Sequence, residues 1–318
     1  MSQRSHPPEG GRHGPAVMLR RAAAAGLLAV LGWLGPGAPA LAETAVEKAA
    51  RTGVLGMGVP EGVPPYASLA ADGSLQGYAV DVSGLIAEEL SDYLGKPISV
   101  VSVTADSADA AFQAVHRGDI DLFCGAQFTW RREMFVDFTT PFALSGIRLL
   151  TAAGGPDGTP ASLAGKRIGA VAGSLGATTL EALQPQATLV PIASLADGLA
   201  ALRSGRVDGV IGDTLLIAGA VAEADATDLD LVPETPYNRY AVGCMVPENN
   251  GTLRNLASLA IGKMVQGYVN GEPRYVELVN RWLGPDSDLE LPTEAITAFF
   301  NAVLLSHEQI AVPPVTTP

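Results

Sequence analysis

Two successive cycles of short β-rich runs alternating with helical patterns constrain this chain more than any other feature. In the first cycle, residues 54–59, 98–103 and 121–125 are dominated by small, aliphatic and β-branched side chains. Residues 81–94 and 107–116, lying between them, carry helical periodicity. In the second, strands are predicted at 167–171, 188–192 and 207–212, with helices at 177–183, 195–204 and 214–222. Such alternation implies an α/β fold with a mostly parallel sheet covered on both faces. Between the cycles lies the Gly/Pro-rich stretch 152–160, Ala-Ala-Gly-Gly-Pro-Asp-Gly-Thr-Pro, typical of a boundary. We therefore expect two lobes, residues 43–151 with 241–318 and residues 152–240. Antiparallel strands at 147–151 and 241–246 would cross between them. Helical patterns then dominate: Leu253, Leu256, Ala260 and Met264 recur at helical spacing, and 272–282 continues until Gly284-Pro285. These helices are expected to pack on the first lobe, with one further amphipathic helix at 293–305 and an unstructured end at 312–318.

The N-terminus bears on compartment. Arg20-Arg21 precede an apolar run at 22–34 that is short for a bilayer span, and Ala40-Leu41-Ala42 provides a small-x-small cleavage pattern. Residues 1–42 are thus expected to be a signal peptide for general secretion, with Met18 an alternative start to Met1. The chain has 20 basic and 33 acidic residues; cleavage removes four Arg and one Glu, leaving a net charge of −16. That charge disfavours nucleic-acid and anionic-membrane partners. About 276 remaining residues exceed what one hydrophobic core usually holds, which again favours two lobes.

Enzyme and metal signatures fail on inspection. Gly56-Met57-Gly58-Val59-Pro60-Glu61-Gly62 approaches a dinucleotide fingerprint, but its third glycine is one place late and Pro60, Pro64 and Pro65 preclude the helix that should follow. Gly173-Ser174-Leu175-Gly176 is one residue short of a nucleophile elbow, and only His307 lies downstream as a base. A helix-start anion site explains Ser174 better. Two distant cysteines and the two histidines that follow residue 42, His116 and His307, do not make zinc-ligand spacing. No cofactor is expected. Cys124 and Cys244 could form a disulfide in an exported protein or remain two buried thiols.

A receptor for a small zwitterion needs a cation or several N–H donors for the carboxylate and a buried acid for the ammonium. Arg132, Asp213 and the helix start at Gly173-Ser174 could supply these. Taken singly they mean little, since Asp213 is also well placed to cap the following helix.

Short blocks in order extend this reading over nearly the whole exported length. Val63-Pro64-Pro65-Tyr66, Asp72-Gly73 and Gly77-Tyr78-Ala79-Val80-Asp81 come first. Gly118-Asp119-Ile120-Asp121, Thr129-Trp130-Arg131-Arg132 and Asp137-Phe138-Thr139-Thr140-Pro141-Phe142 follow. Leu163-Ala164-Gly165-Lys166, Gly173-Ser174, Gly205-Arg206-Val207-Asp208, Asp213 and Arg281-Trp282-Leu283-Gly284 complete the series. In this register the chain resembles the polar-amino-acid-binding family of periplasmic solute-binding proteins. The resemblance implies a two-lobed type II fold whose hinge is two crossing strands. It also implies a non-enzymatic, Venus-flytrap receptor, monomeric and periplasmic, that delivers an amino acid to the permease of an ABC importer in the inner membrane. Arg132 would clamp the ligand α-carboxylate with help from Ser174, and Asp213 would receive the α-ammonium. Tyr66 would lie against the ligand, and Gly125 and Gln127 would form the floor, with Gln127 standing where Ser or Thr is usual. The runs 121–125 and 243–245 resemble the glutamate/aspartate-binding branch, which implies a Cys124–Cys244 disulfide. Pro60 and Ala111 stand where that branch has arginines for an acidic side chain, so dicarboxylic ligands are not expected. On the same fold, the alternatives are a cyclohexadienyl dehydratase-like enzyme and a periplasmic ligand sensor.

Overall fold

The structure, a computed structural model, describes residues 43–307 apart from positions 61, 106 and 227. The expected signal peptide and the expected unstructured end lie outside the described residues.

The first described element was not anticipated. Helix α1 (Ala45–Thr52) begins with a capping box in which Thr44 and Glu47 satisfy each other's backbone amides, and it stops at left-handed Gly53. Strand β1 (Val54–Pro60) follows, then a small hairpin of β2 (Ser68–Leu69) and β3 (Leu75–Gln76). The hairpin turns at Asp72-Gly73, where the Asp72 carboxylate accepts from Ser74 N at 2.9 Å. Helix α2 (Tyr78–Leu94) buries Val82, Ile86 and Leu90 at helical spacing, and Gly95 ends it in the left-handed region. Strand β4 (Ser99–Ala105) pairs parallel with β1, and after helix α3 (Ala108–Arg117) strand β5 (Phe123–Gln127) runs beside them through a Met57–Leu122 bridge. Short α4 (Trp130–Glu133) and β6 (Val136–Phe138) lead into the ten-residue strand β7 (Ala143–Ala152).

The second cycle comprises α5 (Pro160–Leu163), β8 (Arg167–Val171), α6 (Leu175–Leu183), β9 (Thr188–Ile192), α7 (Leu195–Arg203), β10 (Gly209–Asp213), α8 (Thr214–Glu223) and β11 (Leu229–Val232). The ten-residue β12 (Asn238–Pro247) returns antiparallel to β7, and α9 (Gly251–Val269), α10 (Pro273–Leu283) and α11 (Thr293–Leu304) finish the described chain. Helix α9 packs on α2, and α10 and α11 pack on α9.

One sheet of order β5-β12-β7-β10-β8-β9 contains both long strands, with β11 on β7 and β6 on β12. The long strands pair with each other over Ala143 to Ile147 and Asn238 to Val242. Beyond that overlap, β7 continues against β10 and β11 while β12 continues against β5 and β6. Both strands are longer than the segments expected to cross, because each pairs with different neighbours along its two halves.

Several of the sequence blocks are scaffold. Asp121 is 2 % exposed and accepts from Gly56 N at 2.8 Å and Lys48 Nζ at 3.0 Å, tying α1 and β1 to the start of β5. Asp81 accepts from Trp282 Nε1 at 2.7 Å, joining α2 to α10. The Asp208 carboxylate accepts from Arg167 Nη2 and, at 2.8 Å, from Arg167 N, closing the edge between β8 and the β10 entry.

Cys124 and Cys244 form a buried disulfide between β5 and β12, which are paired directly at these residues. Of the two alternatives the sequence left open, the structure has the bond. Replacing both cysteines by alanine is expected to lower the unfolding free energy by about 4 kcal/mol, because a loop of roughly 120 residues is freed in the unfolded chain. An unchanged denaturant midpoint would show the bond to be energetically idle.

Candidate functional site

The site forms where four elements meet a single carboxylate. Asp213 ends β10 and caps α8, so its side chain turns back toward the first amide groups of that helix. It is only 5 % exposed. A buried carboxylate is tolerated only with donors around it, and this one has four. Oδ1 accepts from Leu216 N at 3.0 Å and from Ser145 Oγ at 2.9 Å. Oδ2 accepts from Tyr240 O–H and from Gln127 Nε2 at 3.3 Å. Gln127 Nε2 also donates to the Tyr240 hydroxyl at 3.0 Å. Burial, reinforced by the adjacent Asp213 charge, pushes the Tyr240 hydroxyl far above the ordinary tyrosine range, so it remains a donor.

Tyr66 packs against the same cluster. A Cβ added to Gly77 would lie 2.1 Å from the Tyr66 carbonyl oxygen, and one on Gly125, whose φ is +89°, would lie 3.0 Å from Tyr66 Cγ. The two glycines therefore leave room for Tyr66 between the start of α2 and β5. Its hydroxyl is buried and has no hydrogen-bond partner among the described residues, and burial together with the Asp213 charge holds it well above its ordinary pKa.

Arg132 stands on α4, which Thr129 caps through a 3.2 Å bond from Arg132 N. Its Nη1 donates to the Gln127 carbonyl at 3.4 Å, and its Cζ lies 5.8 Å from the Phe112 ring centre. Among the described residues no carboxylate forms an ion pair with it. Burial lowers the guanidinium pKa, partly offset by the Asp109 charge. Gln127 thus links the two charges, touching Arg132 with its backbone carbonyl and Asp213 with its side-chain amide. Helix α8 also meets the loop that carries Tyr66: a Cβ on Gly219 would lie 2.6 Å from the Pro64 carbonyl oxygen.

The structure brings five predicted residues, Tyr66, Gly125, Gln127, Arg132 and Asp213, into one connected group. Ser174 is half-exposed and caps α6 through a 3.2 Å bond from Ala177 N, and among the described residues no hydrogen bond joins it to that group. Its hydroxyl has no contact with His307 either, which bonds Thr140 and the Val303 carbonyl. Ser145 and Tyr240 were missed. Both are buried polar side chains in apolar strands, and they sit opposite each other in the β7–β12 ladder. Among the described residues, no group of His, Cys, Asp or Glu is arranged to hold a metal, and no helix is long and apolar enough to cross a membrane.

The profile of bacterial extracellular solute-binding proteins, family 3, matches residues 55–285. The chain belongs to this family. It is 27 % identical over 252 residues to a glutamate/aspartate import solute-binding protein of Salmonella typhimurium, covering 78 % of this chain and 82 % of that one. Among solved structures, an ancestral arginine-binding protein bound to glutamine superposes with a TM-score of 0.62 at 24 % identity, over 73 % of this chain and 98 % of that one. An ancestral amino-acid-binding protein, a precursor of cyclohexadienyl dehydratase, gives 0.63 at 19 % identity, over 76 % and 100 %. This family 3 protein accordingly has the two-lobed periplasmic-binding-protein type II fold, and β7 and β12 are its crossing strands.

Tyr240→Phe in this solute-binding protein is expected to cost about 1.5–3 kcal/mol of stability, since it removes a donor from a buried ionised carboxylate. Equilibrium unfolding in urea measures this, and a loss below about 0.5 kcal/mol, the range of ordinary surface changes, would mean that Asp213 replaces the donor without cost.

Proposed function

We propose that this protein is exported to the periplasm, closes around an amino acid or similar small zwitterion, and delivers it to the permease of an ABC importer. The observation that carries this is the pair of opposite charges without protein counter-ions. The Arg132 guanidinium forms no ion pair among the described residues, and Asp213 is held by neutral donors only. In this reading Arg132 takes the ligand carboxylate and Asp213 the ammonium. Tyr66 covers the ligand, Gly125 and Gln127 form the floor, and Ser174 assists from the α6 start on closure. The first lobe is residues 43–151 with 241–318 and the second is 152–240. Closure pivots where β7 and β12 overlap. Because the carboxylate and ammonium partners sit on opposite lobes, ligand contacts are complete only in the closed form, and the ligand shifts the population by that difference.

Thermal-shift screening of the purified protein against the proteinogenic L-amino acids is expected to find at least one that raises its melting temperature. Arg132→Ala is expected to weaken binding of that amino acid by about 3–5 kcal/mol, by leaving its carboxylate buried and unpaired. Near-wild-type affinity in calorimetry would remove Arg132 from the site. If instead no amino acid binds and prephenate is converted to an aromatic product, the dehydratase reading takes over.

Closure has its own test. Gly219→Val places a side chain where the Pro64 carbonyl now rests, and is expected to hold the lobes apart. Ligand affinity should fall while the unfolding midpoint without ligand changes little; unchanged affinity would show that the Pro64–Gly219 contact plays no part in binding.

A further inference from the structure

Asp213 has no acceptor capacity to spare. An ionised carboxylate offers about four lone-pair positions, and its two oxygens accept from Leu216 N, Ser145 Oγ, Tyr240 O–H and Gln127 Nε2. An ammonium group therefore reaches Asp213 only by taking a donor's place. The four donors are not equally fixed. Leu216 N belongs to the first turn of α8. Ser145 and Tyr240 are buried, and their backbones face each other in the β7–β12 ladder. Gln127 is the last residue of β5, is only half-buried, and bonds Oδ2 at 3.3 Å through a long side chain. It is also the one donor side chain reaching Asp213 from β5.

We propose that Gln127 is a specificity-determining residue, because its side-chain amide competes with the ligand's ammonium for Asp213 Oδ2. The inference rests on the reading of Asp213 as the ammonium site. A charged ammonium forms a stronger bond to a carboxylate than a neutral amide does, so it displaces Gln127. A hydroxyl or amide offered by an uncharged analogue has no such advantage. The amide thereby sets a threshold that favours ligands bearing a full positive charge at this point.

Tyr66 provides a second observation. Its buried hydroxyl has no partner while Gln127 rests on Asp213. A molecule with an acceptor next to its ammonium, as in an α-amino acid, would satisfy that hydroxyl as it displaces the amide.

The test titrates the proteinogenic L-amino acids one by one, by calorimetry, into the full protein and its Gln127→Ala and Ser145→Ala variants. Each protein is first unfolded and refolded to remove carried-over ligand. An amino acid that binds the wild type is expected to bind Gln127→Ala about tenfold more tightly, the equivalent of one modest hydrogen bond no longer competed for. It should bind Ser145→Ala more weakly, because Ser145 holds the carboxylate and does not yield to the ligand. The 2-hydroxy acid matching that amino acid is expected to gain less from Gln127→Ala than the amino acid does, because its hydroxyl, which does not displace the amide in the wild type, gains only its own weaker bond to Oδ2. Equal or weaker amino-acid binding to Gln127→Ala would overturn the competition and leave the ammonium reading standing. Failure of every amino acid to bind any of the three proteins would overturn the ammonium reading itself, and the competition with it.

Discussion

A carboxylate withdrawn from water at the end of a strand dictates much of the surrounding geometry. An ionised acid at 5 % exposure, left unpaired, would cost several kcal/mol, so its position can persist only if donors converge on it. For Asp213 those donors come from β5, β7, β12 and the first turn of α8. Each must arrive in a definite register. Ser145 and Tyr240 meet the acid together because they are direct partners in the ladder; a one-residue slip of either strand would turn its side chain to the opposite face. The same requirement orients α8, since Asp213 caps that helix while holding the strands.

Strand β5 carries the disulfide and the Asp213 donor on one face. A bulge at Gly125, whose φ is +89°, interrupts the alternation: Cys124 lies opposite Cys244 and Gln127 opposite Val242, two residues apart on β12, so both face the same side, and Ala126, opposite Gly243, faces the other. The disulfide to Cys244 therefore ties β5 to β12 on the same face from which Gln127 reaches Tyr240 and Asp213. A covalent tie three residues before Gln127 limits how far β5 can shift against β12, and so keeps Gln127 in register with Tyr240.

The order of the long elements was legible because period and punctuation agree in them. Strands β8 and β9 fall on the expected residues, 167–171 and 188–192, each bounded by polar or Gly-containing turns. The expected break at 152–160 is irregular until α5. Elements of four residues or fewer, α4, α5, β2, β3, β6 and β11, carry too few positions for a periodicity to register. Of the candidate site, Asp213 stood out as an acid directly between an apolar strand and a helix. The roles of Ser145 and Tyr240 were illegible because neither has local chemistry to mark it; they become neighbours only through pairing of strands far apart in sequence. Ser174 shows the converse. Its capping role follows from local sequence, and its hydroxyl accepts from Ala177 N in that role. The family-like blocks themselves divide by function: Asp81, Asp121 and Asp208 hold helices and strand edges together, and Tyr66, Arg132 and Asp213 join the group around Gly125 and Gln127.

On the proposed reading, charge balance restricts the ligand further. Arg132 contributes one positive charge with a carbonyl and an aromatic ring for neighbours, and Asp213 contributes one negative charge among neutral donors. The two cancel only if the guest brings the opposite pair at matching separation. A second acidic group on the guest would need another cation in the closed crevice, and Ala111, which the resemblance implies stands where the glutamate/aspartate branch has an arginine, is a fully buried apolar residue. An unpaired carboxylate there would cost more than its remaining contacts return. The arrangement therefore favours a guest of no net charge, with an ammonium strong enough to displace Gln127 and a carboxylate placed to meet Arg132.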